Sequence, residues 1–380
     1  MNHPAPHHTA ALALLRSLSG DRGIRASASS EANYAAVFAR DAVMAGIAGL
    51  LLRDDVVTDG LRATLTHLRD LQGPEGQIAS NYLMREGQAP SVSFGTLVPR
   101  VDAALWYVIG VGLAARAGAV DPGPHRAAVA KVMSLLAAIE YNGLHLLYGV
   151  VGGNWADEYI YDGYVLHDQV LRAWGLRLAG DAFGHSAWRD KAERIEETIS
   201  AAFWPDAEAG RRHPLAAFSP ARVHDVFDLA TTALLGASGV APSLGHRALQ
   251  FVAEDFLARG ALPPAFYPVI DETHPDWPAL ARYHLHGFRN RPHQYHNGGI
   301  WPIWLGWLAL ALERTSRRDD LSALRGLVAA HLAAHPTFDF HEFFHGLTGT
   351  PAGMPHMAYS ATGLLFLDAA GGGASTLFTR

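Results

Sequence analysis

Apolar residues recur at three- and four-residue spacing along almost all of this 380-residue chain. This spacing is the period of amphipathic α-helices, and no stretch of useful length alternates apolar and polar residues as a half-buried strand would. The pattern predicts an all-α protein. The predicted helices cover residues 9–18, 34–52, 60–71, 101–117, 124–140, 164–179, 187–203, 225–238, 243–259, 300–314, 319–333 and 357–370.

The connections between these helices alternate in length. Those near 53–59, 118–123, 180–186, 239–242 and 315–318 are short. The alternate connections run to roughly 20 residues or more, a length at which loops in compact domains are usually functional. They lie near 72–100, 141–163, 204–224, 260–299 and 334–356. Since every second connection of antiparallel helices leaves at the same end, we expect the long ones to share one rim. This alternation of short and long connections predicts a closed barrel of helical hairpins. We expect it to form a single domain over 1–370, with 371–380 as a loose tail.

Composition limits the classes of partner. The chain is 49% hydrophobic and 17% charged, which disfavours disorder, and its net charge of −6 disfavours nucleic-acid binding. It has no cysteine, which excludes disulfides, thiolate metal sites and thiol nucleophiles. Its apolar runs fall short of the roughly 20 residues of a membrane span, and no secretory signal is evident. We expect a cytoplasmic protein without membrane or nucleic-acid partners. The oligomeric state stays open.

Acidic residues in an aromatic setting mark the connection 141–163. Asp157, Glu158 and Asp162 lie among four aromatic residues between Asn154 and Tyr164. Apolar surroundings raise the pKa of a carboxyl group, as a general acid working near neutral pH requires. The alternatives are that Asp157 binds nearby backbone amides and that Asp162 caps the following helix.

Glu342 lies in the connection 334–356 and is also surrounded by aromatic residues. Two such acids on one rim fit the paired carboxyl groups of glycoside hydrolysis, and aromatic rings could stack on sugar faces. The alternatives are a buried salt bridge for Glu342 and ordinary core packing for the rings.

The sequence His341-Glu342-x-x-His345 also matches the H-E-x-x-H zinc motif. Two observations oppose a zinc site. Pro336 and Gly346 leave little room for the helix that the motif requires, and no glutamate follows position 342 as a third ligand.

Two further clusters combine charged and aromatic residues. The segment from His286 to Pro302 contains histidines, arginines and paired glycines, which permit close approach of the backbone to a ligand. In it, Trp301-Pro302 predicts a helix start, and Asn297 is either a ligand or a helix cap. The pair Arg40-Asp41 lies in an apolar segment, where it must be mutually bonded or face a ligand.

Five stretches, in order, resemble the neutral and alkaline invertases of glycoside hydrolase family 100. More loosely, they resemble other inverting glucosidases with an (α/α)6 barrel. They are Arg40-Asp41, Pro99–Trp106, Asp157–Tyr164 with Gln169, Tyr267-Pro268 with Tyr295–Pro302, and Glu342–Gly349. The resemblance covers nearly the whole chain, and the stretch Tyr-His-Asn-Gly-Gly-x-Trp-Pro is its most specific part.

The resemblance implies an inverting glycosidase that needs no metal or organic cofactor. Asp157 would be the general acid that protonates the glycosidic oxygen, and Glu342 the general base that activates water. The substrate would be a small α-glucoside such as sucrose or a related disaccharide. The substrate-binding residues would be Arg40, Asp41, Asp102, Trp106, Trp155, Gln169, Tyr295, His296, Asn297 and Trp301.

The chain departs from the family pattern beside the acid. The family has two arginines there, whereas this chain has Glu158 and Tyr159 and an interval one residue shorter. Glu158 is therefore a second candidate for the acid. The stretch Asp-Gly-Tyr-Val-Leu at 162–166 is more similar to bacterial relatives assigned to α-glucosidase or debranching activity. The leaving group, whether fructose, glucose, glycerate or another, stays open.

Two other classes of function remain. A sugar epimerase or isomerase on a similar barrel would use histidines as proton carriers, with His293, His296, His341 and His345 as candidates. A non-catalytic helical scaffold that retains a sugar pocket is the other. We expect these histidines to contact sugar rather than zinc.

Overall fold

Helices dominate the structure, a computed structural model that describes residues 6–29, 31, 33–95, 98–140, 143–205, 210–282 and 287–379. The α-helices in these ranges are α1 (Pro6–Leu18), α2 (Ala39–Leu52), α3 (Asp55–Asp70), α4 (Val101–Arg116), α5 (Arg126–Ala138), α6 (Leu166–Phe183), α7 (Ser186–Ala202), α8 (Leu229–Ser238), α9 (Pro242–Asp255), α10 (Trp277–Leu280), α11 (Pro302–Arg314), α12 (Arg318–Ala334) and α13 (Ala358–Ala369). Every predicted helix is present. The single turn α10 lies inside the connection 260–299.

Six helices form a closed inner ring, in the order α2, α4, α6, α8, α11 and α13, with α13 returning to α2. Most of their residues are buried, as expected of helices that pack on all sides. The helices α1, α3, α5, α7, α9 and α12 lie outside this ring, and the amphipathic helices α3 and α7 bury a single face. The all-α, (α/α)6-barrel prediction is confirmed. Within the described ranges, no helix is long and apolar enough to cross a membrane.

Short antiparallel strands organise the long connections. They are β1 (Ser19–Gly20), β2 (Gly23–Ile24), β3 (Val37–Phe38), β4 (Asn81–Leu83), β5 (Ser91–Ser93), β6 (Tyr164–Val165), β7 (Ala217–Ser219), β8 (Arg222–His224), β9 (Phe227–Asp228), β10 (Phe266–Tyr267), β11 (Phe343–Phe344) and β12 (Pro351–Ala352). The sheets are β1-β2, β3-β4-β5, β6-β7-β8, β9-β10 and β11-β12. In the second of them, Tyr82 of β4 pairs with Val37 and Val92. Since β3, β6 and β9 run directly into α2, α6 and α8, the sheets fix the first turns of inner helices.

Aromatic side chains from the middle of α4, α6 and α11 pack against one another on the barrel axis. Trp106, Trp174 and Trp307 are fully buried, and their ring centroids lie 6.0 to 6.3 Å apart. Phe378, in the 3₁₀ helix Ala374–Phe378, packs on Trp174 and Trp307 at 5.8 and 5.5 Å. The prediction of a loose tail over 371–380 is therefore wrong, because an apolar ring in this segment closes the end of the barrel.

Candidate active site

A cavity of about 660 Å³ opens at the rim where the long connections meet the N-termini of the inner helices. This volume lies in the range of small-molecule sites. The first turns of the inner helices α2, α4 and α13 form part of its lining. Among the predicted site residues, the ones that line it are Arg40, Asp41, Asp102, Trp155, Asp157, Tyr295, His296, Trp301 and Glu342.

Arg40 joins two of the helix starts. Its Nε donates to Oδ1 of Asp41 at 3.2 Å, and its Nη1 donates to Oδ2 of Asp102 at 2.8 Å. Both acids lie in the first turn of their helices, where the helix dipole stabilises negative charge. Burial raises the pKa of Asp41, although the Arg40 guanidinium opposes this effect. The charged pair at 40–41 is thus both mutually bonded and part of the cavity wall.

Glu342 is held on both carboxylate oxygens. It is 7% exposed, its Oε1 accepts from the Tyr34 hydroxyl at 3.2 Å, and its Oε2 accepts from the Met354 amide at 3.3 Å. Gly353, whose φ is 77°, makes room for this carboxylate, since a Cβ there would lie 2.6 Å from Oε2. Burial raises the pKa of Glu342 to about 7. The group is therefore poised to exchange a proton near neutral pH.

Asp157 is paired with an arginine. Nη2 of Arg100 donates to Oδ2 of Asp157 at 3.1 Å, and Nη1 donates to the carbonyl groups of Gly152 and Asn154 at 2.6 and 3.1 Å. The Asp157 side chain is 31% exposed. Because Arg100 is fixed by three acceptors, it holds the Asp157 carboxylate in one place against the cavity.

Glu158, the neighbour of Asp157, lies in a different environment. It is 7% exposed, lines the cavity, and its Oε2 is buried with no hydrogen-bond partner among the described residues. Its backbone carbonyl accepts from Nδ2 of Asn290 at 2.6 Å. Burial raises the pKa of Glu158 to about 7, and the charge of Asp157 contributes to the increase. Two adjacent acids therefore differ in their hydrogen-bond partners and in their burial.

An aromatic wall completes the cavity. His296 stacks on Trp301 with 5.4 Å between ring centroids and meets Trp155 edge-on at 4.9 Å. Nε1 of Trp301 donates to the carbonyl of Tyr295 at 2.9 Å. Burial lowers the pKa of His296 to about 3, so the imidazole is neutral at pH 7. The wall offers apolar ring faces with an uncharged hydrogen-bonding group.

Trp106, Gln169 and Asn297, which were predicted to bind substrate, do not line the cavity. Trp106 belongs to the aromatic core on the barrel axis. Oε1 of Gln169 accepts from the Leu147 amide at 2.8 Å, and its Nε2 donates to the carbonyls of Leu147 and Val165 at 2.9 and 3.0 Å. Since the backbone occupies its amide group, Gln169 shapes the connection before α6 rather than contacting a ligand.

Asn297 and the paired glycines have structural roles too. The Asn297 side chain accepts from the Ile270 amide at 2.8 Å and donates to the carbonyls of Ile270 and Asn290 at 2.8 and 3.0 Å. A Cβ at Gly299 would lie 2.3 Å from the carbonyl oxygen of Tyr295. The glycines therefore permit close packing of backbone against backbone and do not line the cavity. Pro302 opens α11 as predicted.

Most of the histidines that were predicted to contact sugar lie away from the cavity lining. Among the described residues, His296 is the histidine that lines the cavity, whereas His293, His341 and His345 do not. His286 lies outside the described residues. Asp162, predicted as a helix cap, instead pairs through Oδ1 with Nε2 of His224 at 3.2 Å, and Val165 is the residue that precedes α6.

The H-E-x-x-H segment does not form the helix that a zinc motif requires, because Phe343 and Phe344 are strand β11. Nδ1 of His341 accepts from the Asp339 amide at 3.1 Å, and Nδ1 of His345 accepts from the Leu347 amide at 3.2 Å. Within the part of the chain that the structure describes, no group of three or more metal-binding side chains is arranged to hold an ion.

Several cavity residues were not among the predicted site residues: Asn33, Tyr34, Asn81, Arg100, Arg289 and Tyr359. Tyr359 is the second residue of α13, the place that Arg40 and Asp102 occupy in α2 and α4. A search of the first turn of every inner helix would have found it. No local pattern distinguishes Asn81, which reaches the cavity through the pairing of β4 with β3.

Similar architectures occur among solved structures. A GH63 mannosylglycerate hydrolase from Thermus thermophilus in complex with glucose matches with a TM-score of 0.68 and 13% identity, over 95% of this chain and 99% of that one. A rhamnosidase from Klebsiella oxytoca with rhamnose bound matches with a TM-score of 0.65 and 10% identity, over 96% and 64%. A bacterial glucoamylase complexed with acarbose matches with a TM-score of 0.66 and 12% identity, over 98% and 56%.

The chain shares their fold. No family model matches the sequence, and no curated protein matches it. At these identities the likeness establishes the (α/α)6 barrel alone. The specific resemblance to glycoside hydrolase family 100 stays a prediction.

Proposed function

We propose that the chain is an inverting glycoside hydrolase of small glycosides. The observation that carries this proposal is that carboxyl groups from two separate long connections line one cavity. Glu342 comes from the connection 334–356 and has hydrogen-bond donors on both oxygens, and the pair Asp157-Glu158 comes from the connection 141–163. The glycosidase fold of the similar structures supports the same function.

The proposed reaction uses one acid and one base. Glu342 takes a proton from a water molecule, whose oxygen attacks the anomeric carbon. A carboxylic acid from the pair Asp157-Glu158 protonates the departing oxygen. Inversion requires the two carboxyl groups to stand roughly 6.5–9.5 Å apart, with water between the base and the sugar. These groups suffice for the reaction, and no cofactor is part of the proposal.

The other side chains of the cavity are of the types that bind sugars. Arg40, Asp41 and Asp102 offer charged partners for hydroxyl groups, and Trp155 and Trp301 belong to a wall of ring faces. The proposed substrate is a small α-glucoside, such as sucrose, a related disaccharide or a sugar joined to glycerate. The mannosylglycerate hydrolase among the similar structures supports including the last of these.

An epimerase is less well supported. Such an enzyme needs a group that carries a proton near neutral pH. His296, the histidine that lines the described part of the cavity, has a pKa lowered to about 3 by burial. Its imidazole therefore does not gain a proton at neutral pH.

The test is a panel of disaccharides and glycosides, with the anomeric configuration of the first product followed by proton NMR. We expect hydrolysis of at least one member with inverted configuration. Glu342→Gln should lower kcat by about 10³-fold or more. Glu197→Gln, on the exposed side of α7, is the matched control and should leave kcat unchanged. Retained configuration contradicts the inverting mechanism. Exchange of solvent deuterium into a free sugar, without bond cleavage, contradicts the hydrolase.

A further inference from the structure

Asn290 joins two of the long connections around the cavity without lining the cavity itself. It lies in the connection 260–299 and bonds the peptide of Glu158, which lies in the connection 141–163. We propose that Asn290 is a positioning residue, which fixes the acid pair Asp157-Glu158 relative to the bound glycoside. This inference rests on the proposed function, and it applies whichever of the two acids donates the proton.

Both ends of the Asn290 side chain are hydrogen-bonded. Asn290 is 1% exposed, and its Nδ2 donates to the backbone carbonyl of Glu158 at 2.6 Å. Its Oδ1 accepts from the amides of His296 and Asn297 at 3.1 and 3.2 Å. Its own backbone carbonyl accepts from Nδ2 of Asn297 at 3.0 Å. The side chain therefore has one orientation, because turning it would leave buried polar groups unpaired.

The segment that holds Asn290 is itself fixed. The Asn297 side chain accepts from the Ile270 amide at 2.8 Å and donates to the Ile270 carbonyl at 2.8 Å. His296 stacks on Trp301, the residue that precedes α11. Asn290 thus connects the peptide of the acid pair to the rigid start of an inner helix.

The backbone of the acid pair has little other support. Within the described ranges, the backbone groups of Asp157 and Glu158 make a single hydrogen bond, and its donor is Asn290. Arg100 holds the preceding turn from the side of α4, through two backbone carbonyls and the Asp157 side chain. Loss of the Asn290 donor should therefore free the peptide from which both carboxyl groups extend.

The position of this peptide matters for leaving groups that need a proton. An alcohol leaves a glycoside with proton transfer in the transition state, and a misplacement of about 1 Å can lower the rate about 100-fold. Fluoride leaves without a proton. A change at Asn290 should therefore affect O-glycosides more than the glycosyl fluoride of the same sugar. Since Asn290 does not line the cavity, KM should change little.

The experiment measures kcat and KM of Asn290→Asp for an O-glycoside that wild type cleaves and for the glycosyl fluoride of the same sugar. The introduced carboxylate can still accept from the amides of His296 and Asn297, but it has no proton to donate to the Glu158 carbonyl. At about pH 8, we expect kcat to fall by about 30- to 100-fold on the O-glycoside and by less than about fivefold on the fluoride. KM should stay within about threefold of wild type for both.

The pH dependence of Asn290→Asp is a second readout. As pH falls, the introduced carboxyl group gains a proton and can donate to the Glu158 carbonyl, as the Asn290 amide does. The O-glycoside kcat of the variant relative to wild type should therefore rise by about tenfold between about pH 8 and about pH 5. A relative kcat that stays level or falls over this range contradicts the role of this bond.

Asn297→Asp is the matched control. Asn297 is as buried as Asn290 and lies in the same segment, but its side chain bonds Ile270 and the Asn290 backbone rather than the acid pair. We expect Asn297→Asp to change the two activities by equal factors, because the defect that it causes is independent of the leaving group.

The outcomes separate this proposal from the proposed function. Equal loss of both substrates in Asn290→Asp, or no loss of either, overturns the positioning role. Asn290→Ala, which introduces no charge, should show the same selective loss and replaces Asn290→Asp if that variant does not fold. If neither variant folds, a crystal structure of wild type with a bound sugar decides: a bond of about 3 Å from Nδ2 of Asn290 to the Glu158 carbonyl supports the proposal, and its absence overturns it. If wild type cleaves neither O-glycosides nor glycosyl fluorides, the hydrolase proposal itself fails.

Discussion

At the scale of single residues, carboxyl groups of one rim have different hydrogen-bond partners. Asp157 and Glu158 are adjacent in the chain, yet one is paired with Arg100 and the other has a buried oxygen to which no described residue donates. Glu342 is equally buried but receives two donors. One rim therefore holds acids in different environments, and burial raises the pKa of both Glu158 and Glu342 to about 7.

The raised pKa of Glu158 predicts a pH-dependent stability for Glu158→Gln. The pKa of Glu158 is near 4.5 in the unfolded chain and about 7 in the folded one, so the folded state binds more protons between these values. The stability that this proton contributes is therefore present below pH 4.5 and is lost as pH rises through 7. The glutamine variant avoids this loss. We expect it to be more stable than wild type by roughly 1–3 kcal/mol at about pH 8 and equal to it at about pH 4.5.

Urea denaturation at both pH values measures this effect. Glu197→Gln on α7 is exposed and should change the free energy of unfolding by less than about 0.5 kcal/mol at either pH. Equal stabilities of Glu158→Gln and wild type at the higher pH would show that the Glu158 charge is compensated in the folded state.

At the scale of elements, the inner helices bring their N-termini to one rim and pack closely along their lengths. A close backbone approach joins α11 and α13. A Cβ on Gly306 would lie 2.2 Å from the carbonyl oxygen of Gly363, and one on Gly363 would lie 2.2 Å from that of Pro302. The two glycines therefore allow the contact that closes this part of the ring.

The close contact predicts opposite effects for two Gly→Ala substitutions. Gly363→Ala forces α11 and α13 apart and should lower the free energy of unfolding by about 1–3 kcal/mol or more. Gly326→Ala lies on the exposed face of α12 with open space around it, and should raise stability by about 0.5–1 kcal/mol. Calorimetry measures the stability of both variants relative to wild type. A Gly363→Ala variant more stable than wild type would contradict the close contact between α11 and α13.

The helices could be predicted because the 3.6-residue period marks them directly. The errors at their ends have a physical cause. The helices expected at 34–52 and 225–238 begin at Ala39 and Leu229, since Val37–Phe38 and Phe227–Asp228 are strands. A short apolar run before a helix has no period of its own, so its pairing with a distant strand is invisible in the sequence.

At the scale of the whole molecule, the barrel is open at one end and closed at the other. The long connections surround the cavity at the N-terminal rim, whereas the 3₁₀ helix Ala374–Phe378 covers the C-terminal one. Arg116 at the end of α4 donates to the carbonyls of Leu377 and Thr379, and Glu313 of α11 accepts from the amides of Gly373 and Ser375. This last segment thus holds two inner helices in place.

Removing the ring of Phe378 should therefore destabilise the whole barrel. Phe378 is 3% exposed and packs on Trp174 and Trp307. Phe378→Ala should lower the free energy of unfolding by about 3–5 kcal/mol, as Phe→Ala changes in cores do. The exposed neighbour Thr379→Ala should cost less than about 0.5 kcal/mol. Urea denaturation distinguishes them, and an unchanged midpoint for Phe378→Ala would mean that this segment contributes no packing.

The sequence by itself determined the helices and the alternation of short and long connections between them. It also determined the rim on which most of the candidate residues meet. All three follow from the spacing of apolar residues and the lengths of the segments between helices. It did not distinguish cavity residues from buried supports of the same type. Asn297 and Gln169 bond their amides to backbone groups of other segments, whereas Tyr34 reaches Glu342 across 308 positions. Only the tertiary structure decided these roles, and the contrast between Asp157 and Glu158, since hydrogen-bond partners and desolvation come from residues remote in the chain.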